Sequence, residues 1–132
     1  MEISNEAKEG FIKKTDVLVL LDPTYLGVYE HSNRMFHHYD SLAGFNFEFF
    51  RPFCEQVLVK LGVSKNNLKS EVTPQQKNGN DCGVYVIAII KFMVEKYRNS
   101  PSNFSLQLNK QEAKSIHDSI PEIRKELGRR LI

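Results

Sequence analysis

The apolar positions fall into short blocks separated by polar, turn-forming stretches, and their spacing changes from strand-like to helix-like near residue 46. Val17-Leu18-Val19-Leu20-Leu21 is an apolar run suited to a buried strand, broken by Asp22-Pro23. Tyr25-Leu26-Gly27-Val28-Tyr29 and Met35-Phe36-His37-His38-Tyr39 read as two strands joined by a hairpin turn at Glu30–Arg34. From Asn46, the residues Phe49, Phe50, Phe53, Val57 and Leu61 recur at three- and four-residue steps, placing them on one face of a helix that ends near Gly62. Lys65–Ser70 then reads as polar linker, Glu71-Val72-Thr73 as a final short strand, and Pro74–Asn80 as a loop rich in Gln, Asn and Gly. Cys82–Tyr97 is the most apolar segment, with no polar face before Lys91, so it reads as a helix buried on nearly all sides. From Asn109 onward, Ile116, Ile120, Ile123, Leu127 and Leu131 mark an amphipathic helix, or a pair of helices broken at Pro121. The expected class is α+β: a short antiparallel sheet packed by a buried central helix with flanking helices.

A chain of 132 residues suits one domain with a real core. Residues 1–15 are polar and read as an arm or short helix, leaving 16–132 as the folded part. Eighteen basic residues against sixteen acidic ones leave a net charge of +2, so charge names neither nucleic acid nor membrane as partner. No apolar run is long enough to span a bilayer and the N-terminus is not signal-like, which fits a cytoplasmic or nuclear protein. Two cysteines, Cys54 and Cys82, are too few for a disulfide framework and lack zinc-site spacing, so free thiols with no metal and no cofactor are expected. Cys54, on the Asn46–Gly62 helix, reads as a core thiol.

Asp81-Cys82-Gly83 stands where the polar loop becomes the apolar helix, placing Cys82 at a helix N-terminus. Unpaired backbone N–H groups and the positive end of the helix dipole favour a thiolate there. The same geometry supplies a backbone N–H for an oxyanion, and Gln76 on the preceding loop can add a side-chain N–H. A small Cys opening a buried helix can equally be a packing residue.

The longer string, Pro74-Gln75-Gln76-Lys77-Asn78-Gly79-Asn80-Asp81-Cys82-Gly83-Val84-Tyr85-Val86, resembles the nucleophile motif of the ubiquitin-like-modifier cysteine proteases, the papain-like family of SUMO (sentrin) proteases and deneddylases. Upstream, Phe36-His37-His38-Tyr39-Asp40-Ser41-Leu42 is similar to that family's strand ending in the triad aspartate, its His-Tyr-Asp-Ser form being like that of deneddylases. The resemblance covers residues 17–132, the C-terminal catalytic part. It implies Cys82 as nucleophile, Gln76 in the oxyanion hole, Asp40 orienting a histidine, and a ubiquitin-like modifier (the neddylation modifier or SUMO) as partner.

One position departs from the family pattern. The family's catalytic histidine, followed by Trp, begins the strand hairpinned to the aspartate strand; ungapped alignment from Asp40 puts Pro23 there, followed by Thr24, and the chain has no Trp. His38 would share a strand face with Asp40, His37 would face the other way, His31 sits in the turn and His117 in the tail helix. An internal loss around Leu21–Thr24 would account for both the missing pair and the short N-terminal side, making the chain a truncated paralogue, splice form or incomplete gene model. Three readings follow: an impaired cysteine-type isopeptidase or endopeptidase, a pseudoprotease that binds a modifier without cleaving, and a non-functional remnant.

Overall fold

The computed structural model describes residues 17–22, 25–42, 47–77 and 81–130. Strand β1 (Val17–Asp22) pairs antiparallel with β2 (Tyr25–Glu30), and β2 pairs antiparallel with β3 (Met35–Tyr39), with Leu26 opposite Tyr39 and Gly27 opposite His38. The β2–β3 hairpin closes through Arg34 N–H to His31 C=O at 3.1 Å. Helix α1 (Phe47–Lys60) follows, then β4 (Leu68–Ser70), which adds parallel to β3 and completes a sheet of order β1-β2-β3-β4. Helix α2 (Cys82–Asn99), a 3-10 turn at Pro101–Asn103 and helix α3 (Lys110–Arg130) complete the described fold. The expected arm at 1–15 lies outside the described residues, as do Pro23 and Thr24.

The period of two along the strands divides the core in two. Leu26, Val28 and Tyr39 turn to one face and pack with Tyr85, Val86, Ile89 and Met93 of α2 and Ile116, Ile120 and Ile123 of α3. Tyr29 and Phe36 turn to the other face and pack with Phe50, Cys54 and Leu58 of α1. Gly27 permits the second contact: a Cβ there would fall against the Phe50 ring, with Cε2 at 2.6 Å and Phe36 Cε1 at 3.2 Å. Gly27→Ala is therefore expected to lower unfolding stability by about 1–3 kcal/mol through overpacking. A fall in the urea midpoint at constant slope is the readout, and an unchanged midpoint would mean that Phe50 can swing clear.

Several expected features shift. In α1 the buried face is Phe50, Cys54 and Leu58, while Phe49 and Phe53 are 76% and 51% exposed. At about 100° per residue the apolar side chains of α1 cover nearly half its circumference, and the sheet takes the part centred between Phe50 and Leu58. The helix ends in a Schellman motif at Gly62 (φ 73°), with Val63 N–H to Leu58 C=O at 2.9 Å and Gly62 N–H to Val59 C=O at 3.0 Å. The last strand is Leu68–Ser70 rather than Glu71–Thr73, because the turn at Ser64–Asn67 delivers Leu68 opposite Phe36 while Glu71 turns inward onto His37. Helix α2 is not covered all round, since Ile87 and Val94 are 42% and 46% exposed. Helix α3 runs unbroken through Pro121, where a missing N–H costs one intrahelical bond while Ile120 and Ile123 keep both sides seated in the core. Its start carries a capping box, Glu112 N–H to Asn109 Oδ1 at 2.7 Å and Asn109 N–H to Glu112 Oε1 at 3.0 Å, and Lys96 of α2 pairs with the same Glu112 at 2.9 Å.

Candidate active site

Helix α2 begins at Cys82, whose residue is 8% exposed. The first intrahelical donor is Tyr85 N–H, bonded to Asp81 C=O at 3.0 Å, so the N–H groups of Cys82, Gly83 and Val84 precede the helical ladder. A thiol placed there lies at the positive end of an 18-residue helix.

The loop that leads into Cys82 is fastened to the end of β3. Gln75 Nε2 donates to Asp40 C=O at 3.0 Å and to Thr73 C=O at 2.9 Å. Gln76 N–H donates to Ser41 C=O at 3.0 Å, and Ser41 Oγ donates to Gln76 Oε1 at 2.8 Å. Asp40 is 4% exposed, and its Oδ1 accepts Leu42 N–H at 3.0 Å. Of the three residues singled out from sequence, Asp40 and Gln76 are thus joined through Ser41, and Cys82 opens the helix that their loop precedes. Gln75 and Ser41 were missed. The Gln75-Gln76 doublet was the available signal, but which glutamine braces the backbone depends on contacts 35 residues away.

Each histidine has another occupation. His31 Nδ1 is 2.7 Å from Tyr29 Oη, and His117 Nδ1 is 2.9 Å from Tyr85 Oη. His37, expected as a surface or packing residue, is buried between two carboxylates, with Nδ1 2.7 Å from Glu71 Oε1 and Nε2 3.7 Å from Glu30 Oε1. His38 is fully buried, stacked on Phe50 at 4.4 Å between ring centroids and flanked by Tyr25 and Phe47. Burial pushes its pKa down to about 4 against the opposing pull of Asp40. It lies on the α1 side of the sheet, whereas α2, which carries Cys82, lies on the other side. The sheet therefore separates this imidazole from the thiol. Cys54 is a core thiol with no exposed surface, its ionisation pushed up by burial and then by Glu55.

Beside the start of α2 is a cleft of about 210 Å³ walled by Lys77, Asp81, Tyr85, His117, Ile120, Pro121 and Arg124. In it Arg124 of α3 pairs with Asp81, Nε to Oδ1 at 3.3 Å and Nη2 to Oδ2.

Residues 25–131 match the model of the Ulp1 protease family, C-terminal catalytic domain. The chain belongs to the Ulp1 protease family. Among curated Ulp1-type relatives, it is 30% identical over 109 residues to the probable sentrin-specific protease 8 of Dictyostelium discoideum, covering 72% of this chain and 45% of that protein. The chain thus spans less than half the length of that relative. The fold is similar to that of the Xanthomonas campestris effector protein XopD, whose structure was determined bound to ubiquitin, with a TM-score of 0.55, 20% identity, and coverage of 80% of this chain and 59% of XopD. The SUMO protease Ulp1, with its catalytic cysteine oxidised to a sulfenic acid, matches with a TM-score of 0.41 and 21% identity over 79% of this chain and 49% of Ulp1. The mixed α+β class expected from the sequence is the class this Ulp1-family chain has.

Proposed function

We propose that this Ulp1-family chain is a cysteine-type isopeptidase or endopeptidase module for a ubiquitin-like modifier, with Cys82 as nucleophile and turnover impaired for want of a paired imidazole. The observation that carries the reading is Cys82 as the first residue of α2, at the end of a loop whose Gln76 is tied to the residue following Asp40. In the reaction, the Cys82 thiolate attacks the carbonyl carbon at the modifier's C-terminal glycine. The Cys82 N–H and Gln76 Nε2 receive the charge that develops on oxygen. The amine then leaves, taking its proton from solvent for want of a paired imidazole, and water hydrolyses the thioester, releasing the modifier's C-terminal carboxylate and restoring the Cys82 thiol. Asp40 is the residue that would orient a histidine, and the position that should supply one holds Pro23. The His38-Tyr39-Asp40-Ser41 string favours the neddylation modifier over SUMO as the substrate.

The test is a ubiquitin-like modifier carrying a C-terminal electrophile, in neddylation-modifier and SUMO versions. A covalent adduct at Cys82 with the first, absent in Cys82→Ala, is expected. No adduct with either modifier, or an adduct that survives Cys82→Ala, would overturn the proposal. The pseudoprotease reading is supported by the occupied histidines, and it differs in one outcome: modifier binding that persists undiminished in Cys82→Ala with no adduct in the wild type.

A further inference from the structure

The residue preceding the thiol is an aspartate, and an aspartate at a helix N-cap ordinarily turns its carboxylate onto the second or third N–H of its own helix. Asp81 does not. Its backbone sits at φ −108°, ψ 13°, away from the extended conformation of a capping residue, and its side chain makes no capping hydrogen bond. Its carboxylate is instead held through both oxygens by Arg124, which lies 43 residues further along the chain on α3. The guanidinium fork suits this role, because it fixes the carboxylate in orientation as well as neutralising it. The Asp81 side chain is only 15% exposed, so it is held at the cleft wall and not in bulk water.

We infer that Arg124 is a positioning residue for the Cys82 site: by drawing the Asp81 carboxylate onto α3, it keeps a negative charge off the amides that open α2. This rests on the cysteine chemistry proposed for Cys82. A carboxylate released from Arg124 would fold back onto the N–H groups of Gly83 or Val84. There it would oppose both the thiolate and the charge that develops on the substrate carbonyl oxygen, since the first-turn amides and the helix dipole favour a single anion at that end. Among the described residues, the other polar side chains lining this cleft are Lys77, Tyr85 and His117, and none of them presents the bidentate fork of Arg124.

The test uses iodoacetamide on the full chain, which reads thiolate chemistry without any modifier. The Cys82 sulfur bonds to the reagent's methylene carbon, iodide leaves, and the thiol proton passes to solvent. Arg124→Ala is expected to slow Cys82 alkylation at pH 7 by about three- to ten-fold and to move the rate-versus-pH curve upward. Adding Asp81→Ala to Arg124→Ala should bring the rate back to within about two-fold of wild type, because the misplaced carboxylate is then gone. Arg124→Lys, a point charge without the fork, should fall between. Cys54 is the folding control, since it is sealed in the core and should react only on unfolding. If Arg124→Ala exposes Cys54, Arg124→Lys with and without Asp81→Ala carries the same comparison. An unchanged curve in folded Arg124→Ala, or no recovery on removing Asp81, would overturn the inference. A wild type that resists the modifier electrophile yet shows these alkylation shifts would sink the proposed function and leave the role of Arg124 standing.

Discussion

Between pH 6.5 and pH 4 the protein is expected to lose about 3 kcal/mol of unfolding stability through His38 alone. The sign follows from the proton count. In the unfolded chain a histidine takes up its proton near pH 6.5, whereas burial among Tyr25, Phe47 and Phe50 holds the His38 pKa at about 4 in the native fold. Through that window the unfolded state binds more protons, so stability is present above pH 6.5, falls as pH is lowered, and levels off once both states are charged. Neither ring nitrogen of His38 has a hydrogen-bond partner among the described residues, so His38→Phe should also be at least as stable at pH 7.5, the ring stack being kept and two unpaired polar atoms removed. The measurement is the difference in urea-unfolding free energy between wild type and His38→Phe at pH 7.5 and 4.5. Carboxylates held low by their partners, Glu112 among them, titrate alike in both proteins and cancel. A difference that stays flat across that range would mean that the imidazole is not buried in the neutral form.

The same histidine shows how far local pattern carries. Strands β2 and β3 were legible because Tyr25–Tyr29 and Met35–Tyr39 are short apolar, aromatic-rich runs on either side of a polar turn, and the start of α2 was legible because composition changes abruptly at Cys82. The buried face of α1 was not: with Phe at 47, 49, 50 and 53, several faces score equally, and the Cβ-less gap at Gly27 decides that Phe50 goes in. Nor was β4, since Leu68-Lys69-Ser70 has almost no strand signature of its own and pairs because β3 offers it an open edge. At the site, Cys82, Gln76 and Asp40 stood out through two long motif strings. The bonds that fasten their loop did not, because Gln75 donates to backbone 35 residues away and Arg124 reaches Asp81 across 43. Contacts of that span leave no periodic trace in a single sequence.

Given a ubiquitin-like modifier carrying a C-terminal thioester, the chain is expected to take up one equivalent and then stall. Exchange onto Cys82 breaks the substrate's C–S bond and releases a thiolate, which needs no proton to depart, so on the proposed chemistry the Cys82 nucleophile suffices without a general acid. Two other steps need proton transfer: departure of the amine when the substrate is an amide, and activation of water against the acyl-enzyme with either substrate. All four histidines are committed elsewhere, His31 to Tyr29, His37 to Glu71, His38 within its aromatic cage and His117 to Tyr85. General acid–base assistance contributes about 10²–10⁴-fold, so hydrolysis of a fluorogenic modifier amide should fall short of an imidazole-equipped site by a factor of that order. The intact mass should show an acyl-enzyme at Cys82 that persists after the free thiol burst, and Cys82→Ala should show neither burst nor acyl-enzyme. Steady multiple turnover of the amide at about 1 s⁻¹ or faster, an ordinary enzymatic rate, would sink this account. It would mean that a base reaches Cys82 from a direction the packing of these four imidazoles does not supply.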